Sequence, residues 1–286
     1  MEISPAPRGR RARYGAALLA LFFAATVAAK DPPKPTYILA VVPHQLPMLV
    51  YKEWTPLLQR LSQRIGADIE LRTYRTIPRF EAELFRGVPD FAFMNPYHEV
   101  MAKQAQGYLP LVRSREALSG ILVVRRDSPI QSVGELNGKT LAFAAPNAFG
   151  SSLYMRALLT EQFGIRFKPY YVDAHNEVYR HVILGEAVAG GGIKHTLDIE
   201  PEAVRGQLRI LFETPKTAPH CLSAHPRVPR AIRQIVTNTL LDLGKDPSEE
   251  KWLERIQLAG PIKANYDRDY KPLETLGLDK YLVVGE

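Results

Sequence analysis

Short apolar runs alternate with helix-periodic segments along this chain, and that alternation limits the fold more than any other feature of the sequence. In the first series, the runs 37–42, 68–74 and 90–94 favour strands, and segments 54–65 and 80–85 between them favour helices. The apolar residues of the longer helical segment recur at helical spacing: Trp54, Leu57, Leu58, Leu61 and Ile65. Strands that alternate with helices predict a parallel sheet covered by helices.

A second series of the same kind begins near residue 120. Its predicted strands are 121–124, 140–144, 170–172 and 208–212, and its predicted helices are 151–163, 177–184, 229–243 and 248–258. Ser132 and Glu135 have the spacing of a capping box before a short helical turn. The Pro-rich stretch 215–229 is interpreted as a crossing or rim segment. The sequence therefore predicts the α/β class, with the pattern repeated.

The first thirty residues have a different composition. Arg8, Arg10, Arg11 and Arg13 are followed by an uncharged run, 14–29, that ends in the small residues Val27-Ala28-Ala29. This order is typical of a secretory signal peptide, so residues 1–29 are predicted to be removed on export to the periplasm. An uncleaved membrane anchor is the alternative, but the run is shorter than the ~20 residues that span a bilayer.

Charge and cysteine content exclude several classes. The chain carries a formal net charge of +7. Without residues 1–29, 33 basic and 29 acidic residues remain, a mild excess of about +4. We find no Lys/Arg tract with interleaved aromatic residues, so nucleic-acid binding is not expected. The single cysteine, Cys221, allows no intramolecular disulfide.

Three stretches carry a resemblance to a known family. They are Gly87 to Tyr97, with its "FAFMNPY"; Ile121 to Phe143, with its "DSPIQSVGELNGKTLAF"; and Asp173 to Gly190, with its "ILGEAVAG". Together they resemble the phosphate/phosphite/phosphonate-type periplasmic solute-binding proteins of ABC transporters. The middle stretch is the most specific in order and spacing.

The resemblance implies a type II two-lobed fold, each lobe a mostly parallel sheet flanked by helices. With the doubled α/β series it places residues 30–119 and 217–286 in lobe 1 and residues 120–216 in lobe 2. The implied function is to bind a small oxyanion of the phosphate, phosphite or phosphonate class in the interlobe cleft, as a monomer without a cofactor, and to deliver it to an ABC transporter permease.

Ligand-binding residues also follow from the resemblance. Tyr74 and Tyr97 match two first-lobe tyrosines of the family, and His175 matches a second-lobe histidine. The family's Ser-Thr-Ser is replaced by Asn147-Ala148-Phe149-Gly150-Ser151-Ser152, and its usual acidic residue by Val188. Both departures leave the fold expectation intact and weaken the identification of the ligand.

Local chemistry adds further candidates. Segment 147–152 follows a strand and opens a helix, where unpaired N–H groups and the hydroxyls of Ser151 and Ser152 could hold an anion. Asn147 belongs to this candidate cradle, and Gly150 would let a ligand approach the backbone. The alternative is that Ser151 only caps the helix. Asn95 either forms a turn or reaches the ligand. His44, after the first strand, is a further candidate at the cleft edge.

Other functions have less support. His220, Cys221 and His225 lie close in sequence but lack the spacing of a zinc site, so no metal is predicted. Common hydrolase, metalloprotease and P-loop motifs are absent from the sequence, so an enzyme is not expected. Gly190-Gly191-Gly192 is interpreted as a loop, after a strand, where the backbone approaches a ligand or a helix. The alternative function is a sensory protein of the same fold that binds an oxyanion such as arsenite and signals to a sensor kinase.

Overall fold

The structure is a computed structural model, which describes residues 1–2, 4 and 34–283. The chain divides into two units at Pro33, and the account below concerns the second unit, Lys34–Glu286. The predicted signal peptide, 1–29, lies almost wholly outside the described residues.

Strands and helices alternate through the described chain. The strands are β1 (Thr36–Val41), β2 (Asp68–Arg72), β3 (Phe91–Met94), β4 (Leu109–Arg113), β5 (Gly120–Arg125), β6 (Thr140–Phe143), β7 (Lys168–Tyr171), β8 (Ala189–Ile193), β9 (Leu208–Glu213), β10 (Cys221–Ala224) and β11 (Ile262–Lys263). The α-helices are α1 (Pro47–Ile65), α2 (Ile77–Leu84), α3 (Pro96–Gln106), α4 (Tyr154–Glu161), α5 (His175–Ile183), α6 (Lys194–Asp198), α7 (Glu202–Arg205), α8 (Arg230–Leu243), α9 (Glu250–Arg255) and α10 (Tyr266–Asp269). Short 3₁₀ segments cover Val133–Leu136, Pro247–Glu249, Lys271–Leu276 and Leu278–Tyr281, and a π-helical turn covers Phe149–Leu153.

The strands form two sheets, with orders β11-β4-β10-β3-β1-β2 and β7-β6-β8-β5-β9. In the first sheet β1 is parallel to β2 and β3, and in the second β6 is parallel to β7 and β8. The predicted α/β class is confirmed, but both sheets are mixed rather than mostly parallel. Each antiparallel pair contains at least one of the four strands that flank the connections between the sheets: β4, β5, β9 and β10. The short β11 is antiparallel to β4.

Two connections carry the chain between the sheets, one from β4 to β5 and one from β9 to β10. They pair with each other at Leu118 and Thr217, where each N–H donates to the other's carbonyl oxygen at 2.9 Å. The backbone polar groups at this point are therefore satisfied between the two connections. Part of the Pro-rich stretch 215–229 is a crossing, as predicted, but it also contains β10.

The glycine run Gly190–Gly192 lies inside β8 and is not the loop that the sequence suggested. A Cβ at Gly190 would meet Val178 and Val182 of α5, and a Cβ at Gly192 would overlap with the ring of Tyr179. The missing side chains let α5 pack directly on the strand, which agrees with the predicted approach of backbone and helix.

The hydrophobic cores lie on the two sheets, but the core of the first sheet also includes residues that follow a strand of the second sheet. The core on the first sheet also contains Phe149, Leu153 and Tyr154, which follow β6 of the second sheet. These side chains are buried, and the rings of Phe149 and Tyr154 are stacked with their centroids 5.6 Å apart. None of the helices in the described part of the chain is long and apolar enough to cross a membrane.

Candidate ligand-binding site

Strand direction brings most of the predicted site residues to one edge of each sheet. His44 follows β1, Tyr74 follows β2, and Asn95 and Tyr97 follow β3; these three strands are parallel. Segment 147–152 follows β6, and His175 follows β7, which is parallel to β6. Ligands of open α/β sheets collect at the carboxyl ends of such strands.

Contacts join the two edges directly. The side-chain Nδ2 of Asn95 donates to the carbonyl oxygen of Asn147 at 3.3 Å. The Nδ2 of Asn147 lies 3.1 Å from both carboxylate oxygens of Glu81, on α2. The Nε2 of His98 lies 2.8 Å from Oε1 of the same carboxylate. Glu81 therefore bonds to a residue of the first sheet's layer and to one that follows a strand of the second sheet.

Asn95 and Asn147 have their hydrogen-bonding groups occupied in this structure. Asn95 is the N-cap of α3, and its side chain accepts a bond from the N–H of His98 at 2.8 Å. Asn147 Nδ2 also donates to the carbonyl oxygen of Val283 at 2.9 Å, and its Oδ1 accepts from the N–H of Val283 at 3.0 Å. Asn95 is thus a local structural residue, a helix cap whose amide also reaches the backbone of Asn147, and its predicted contact with a ligand stays a prediction.

The two tyrosines differ in their partners. The hydroxyl of Tyr74 donates to Glu83 Oε2 at 2.9 Å, and Arg72 donates to the same oxygen at 3.0 Å. Tyr97, in the first turn of α3, is 6% exposed, and burial raises the pKa of its hydroxyl. Both hydroxyls are protonated at neutral pH, and the Tyr74 hydroxyl already has an acceptor.

The segment predicted to form an anion cradle begins with a π-helical turn rather than an α-helix. The N–H groups of Ser152 and Leu153 both donate to the carbonyl oxygen of Ala148, at 2.9 and 3.0 Å. The Ser152 hydroxyl accepts a bond from Arg156 Nε at 3.2 Å. Ser151 is 1% exposed, and its hydroxyl has no partner among the described residues.

Glycines in the second sheet allow segment 149–153 to pack directly against the strands of that sheet. A Cβ at Gly120, in β5, would overlap with the carbonyl oxygen of Gly150, and a Cβ at Gly191, in β8, would overlap with that of Ser151. A Cβ at Gly150 itself would come 2.7 Å from Leu118 Cδ2. Gly150 is thus required for packing on the connection between the sheets, in addition to any approach by a ligand.

Two histidines, His220 and His44, pack against Phe93 on β3, and a third, His175, interacts with both of them through charge. The ring of His220 is stacked on Phe93 with centroids 5.6 Å apart, and the ring of His44 meets the edge of Phe93 at 6.4 Å. Burial, and then a charge on His44, lower the pKa of His175 to about 4. Burial, and then charges on His44, His98 and His175, lower the pKa of His220 to about 3. Burial also lowers the pKa of His44, so all three rings are neutral at neutral pH.

Several buried polar atoms at these edges have no hydrogen-bond partner among the described residues. They are His44 Nε2, Ser151 Oγ and His175 Nδ1, together with Trp54 Nε1 beside Phe93. An unpaired buried polar atom costs roughly 1–3 kcal/mol. Such atoms near the carboxyl ends of strands indicate a site that another molecule, a ligand or water, completes.

Sequence reasoning missed His220 and Glu81. His220 precedes β10, and antiparallel pairing of Cys221 with Met94 brings it to the carboxyl end of β3. An antiparallel strand within an α/β pattern leaves no mark in hydrophobic periodicity. Glu81 lies on the buried face of α2, where periodicity predicts apolar residues; its alignment with Phe80 and Leu84 was the available signal. Within the part of the chain that the structure describes, no group of three His, Cys, Asp or Glu side chains could hold a metal ion.

Solved structures with this arrangement exist. PhnD1 from Prochlorococcus marinus, in complex with methylphosphonate, is 15% identical, with a TM-score of 0.76 over 87% of this chain and 99% of that chain. A binding-protein component of an ABC phosphonate transporter from Pseudomonas aeruginosa is 13% identical, with a TM-score of 0.73 over 86% of this chain and 87% of that chain. A Xanthomonas citri protein bound to chloride is 20% identical, with a TM-score of 0.74 over 86% and 98%. No curated protein matches the sequence.

Two mixed sheets flanked by helices, in this arrangement, define the type II periplasmic substrate-binding fold. The match to a family model is more specific than the fold. The model for the ABC transporter, phosphonate, periplasmic substrate-binding protein matches residues 39–270, and the chain belongs to this family. The resemblance seen in the sequence is confirmed, and the family is one of periplasmic binding proteins rather than enzymes.

Proposed function

We propose that this protein binds a small oxyanion of the phosphate, phosphite or phosphonate class between two lobes and delivers it to the permease of an ABC importer. The observation that carries the proposal is the set of buried, unpartnered polar atoms at facing edges of the two sheets: His44 Nε2, Ser151 Oγ and His175 Nδ1. Membership of the phosphonate-binding family supports the ligand class.

The proposed lobes are residues 30–119 with 217–286, and residues 120–216. The two sheets support this division, because the first takes its strands from 36–113 and 221–263 and the second from 120–213. The paired connections at Leu118 and Thr217 would act as the hinge. Bonds from Asn147 to Glu81 and Val283 would hold the lobes together when they close.

The predicted site residues divide into two roles under this proposal. Ser151, His175 and His44 contact the ligand with the atoms that lack partners, and Tyr97 and the backbone of Gly150 line the site. Tyr74, Asn95, Asn147 and Ser152 already have side-chain partners and would position the others. We further propose that the protein is a monomer, exported after removal of residues 1–29.

The test is calorimetry with phosphate, phosphite, methylphosphonate, sulfate and arsenite. A ligand at a hundred times its Kd should also stabilise the protein by about 2.7 kcal/mol. Ser151→Ala should weaken binding by roughly tenfold or more, because it removes a bond to a charged group. Ser248→Ala is the matched control, since Ser248 lies on the exposed segment Pro247–Glu249 and bonds only to Asp246. Binding by Ser151→Ala and His175→Ala at wild-type strength would place the ligand elsewhere.

A further inference from the structure

His44 is held in one tautomer by the backbone. Its Nδ1 lies 2.9 Å from the carbonyl oxygen of Val42, and a carbonyl oxygen can only accept a hydrogen bond. Nδ1 therefore carries the proton, and in the neutral ring Nε2 holds a lone pair. That Nε2 is buried and has no partner in the described part of the chain.

The groups around His44 favour the neutral ring. Two of them are imidazoles, His175 at the start of α5 and His220 before β10, and a charge on His44 lowers the pKa of each. Glu53 on α1 favours the charged form of His44, but burial outweighs it, and its carboxylate accepts a bond from Gln45 at 2.6 Å. The Glu81 carboxylate, on α2, is bonded to His98 on α3 and to Asn147.

A buried lone pair such as that of His44 Nε2 distinguishes anions that carry a proton from anions that do not. An oxyanion without a proton offers only acceptors, so it would bring its own lone pairs against Nε2 of His44. A singly protonated oxyanion offers one O–H donor for that nitrogen and keeps negatively charged oxygens for a hydroxyl such as that of Ser151.

On the proposed function as a premise, we infer that the site takes a singly protonated oxyanion of the phosphonate type, whose O–H group donates to Nε2 of His44, and rejects anions of the same shape that carry no proton. This names a subclass of ligand for the site and gives His44 the role of distinguishing that subclass.

Methylphosphonate and methanesulfonate test this inference as a matched pair. At slightly acid pH both are monoanions of nearly the same shape, and only methylphosphonate carries a proton. Calorimetry should show methylphosphonate binding more tightly by roughly tenfold to a hundredfold, the factor expected when one buried acceptor is left unpaired. Equal affinities would overturn the inference and leave the proposed function intact, whereas binding of neither anion, nor of phosphate or phosphite, would remove the proposed function itself.

Proton counting separates a protonated ligand from a protonated histidine. Titrations at alkaline pH, in buffers that differ in ionisation enthalpy, should show uptake of one proton for each methylphosphonate bound and none for methanesulfonate. Uptake by both anions would mean that an imidazole is charged in the complex, and uptake by neither would mean that the dianion binds. Either result contradicts the inference.

A pair of variants locates the selection at His44. His44→Leu removes the lone pair, so the preference for methylphosphonate over methanesulfonate should fall to about twofold or less. His225→Leu is the control, because His225 follows β10 at the end opposite to His220. Thermal melting checks the fold of both variants, and if His44→Leu does not fold, the wild-type anion pair and proton count still decide. A folded His44→Leu that keeps the full preference would contradict the role of His44.

Discussion

Burial removes the charge from two groups of titratable side chains, one half-buried at the ends of strands of both sheets and one inside the core of the first sheet. The first consists of the imidazoles of His44, His175 and His220, and burial lowers the pKa of each. The other is Glu99 in α3, which is fully buried and whose pKa burial raises to about 8. Both groups are neutral near neutral pH, but they respond to pH in opposite directions, because one would gain a proton and the other would lose one.

Their partners also differ. Glu99 Oε2 accepts a bond from the Ser223 hydroxyl at 2.6 Å, with Cys221 Sγ at 3.7 Å, inside the core of the first sheet. The imidazoles lie where strands end, and His44 Nε2 and His175 Nδ1 have no hydrogen-bond partner in the described chain, as is also true of Glu99 Oε1. The two groups therefore differ in place: Glu99 lies inside the core and bonds to a hydroxyl there, whereas the imidazoles lie at strand ends, where ligands of open α/β sheets collect.

The largest effect on stability is expected at Glu99. Its folded pKa of about 8 lies above the ordinary 4.5, so the folded state holds the proton more tightly and the free energy of unfolding falls as pH rises from 4.5 to 8. The full loss is on the order of 5 kcal/mol. Urea unfolding of Glu99→Gln should not show this loss between pH 4.5 and 8; a wild-type curve with no decline across that window would contradict the assignment.

His175 should give the opposite slope. Its folded pKa of about 4 lies below the ordinary 6.5, so stability is fully present above pH 6.5 and is lost as pH falls toward 4. The loss is roughly 2–3 kcal/mol. Urea unfolding of His175→Asn, compared with the wild type across this window, should show a shallower decline in acid. Asn176→Ala, at the next position of the same helix, serves as the control, because it changes an exposed side chain that does not titrate.

Ser223→Ala should have a smaller effect. It removes the hydroxyl that donates to Glu99 at 2.6 Å, and leaving that buried acceptor unpaired should cost about 1–3 kcal/mol. The same change should raise the pKa of Glu99 further, because the bond from Ser223 lowers it. Denaturant unfolding near neutral pH measures the first effect, and unchanged stability would mean that the bond is absent in solution.

Ser151→Ala, the matched change at the proposed ligand site, should be the least destabilising without ligand. Ser151 is as buried as Ser223, but its hydroxyl has no partner in the described chain, so its removal should leave the free energy of unfolding unchanged or raise it, by at most the roughly 1–3 kcal/mol that an unpaired buried polar atom costs. The same variant should lose ligand affinity. A large loss of stability in the absence of ligand would show that the fold itself uses this hydroxyl.

The sequence predicted the elements of this fold well where hydrophobic periodicity was strong. The strands β3, β5, β6 and β9 begin and end within one residue of their predicted bounds, and the capping box is present, with the Ser132 N–H donating to Glu135 at 2.9 Å. Helix α1 begins at Pro47, seven residues before the predicted start, because its first turns expose Met48 and Leu49 and so break the apolar spacing.

Site geometry was harder to predict, because it depends on strand direction and on which groups find partners. The sequence indicated His44, Ser151 and His175 as candidates, but it could not show that Asn147 and Ser152 would be bonded to Glu81 and Arg156. Those bonds join residues 66 positions apart in one case and four in the other. His175 was expected in a loop and is instead the first residue of α5, preceded by Asp173 in a left-handed conformation.

Under the proposed function, the glycines under segment 149–153 bear on how this protein could be turned into a sensor for another anion. Because Gly120 and Gly191 leave no space between the strands and the carbonyl oxygens of Gly150 and Ser151, the backbone there cannot sink or rotate to suit a larger guest. A designer would do better to keep these glycines fixed and to randomise the side chains at residues 44, 97 and 220, on the first sheet's layer. Libraries built in that way would change the side chains that recognise the ligand while keeping the backbone of segment 149–153 in place.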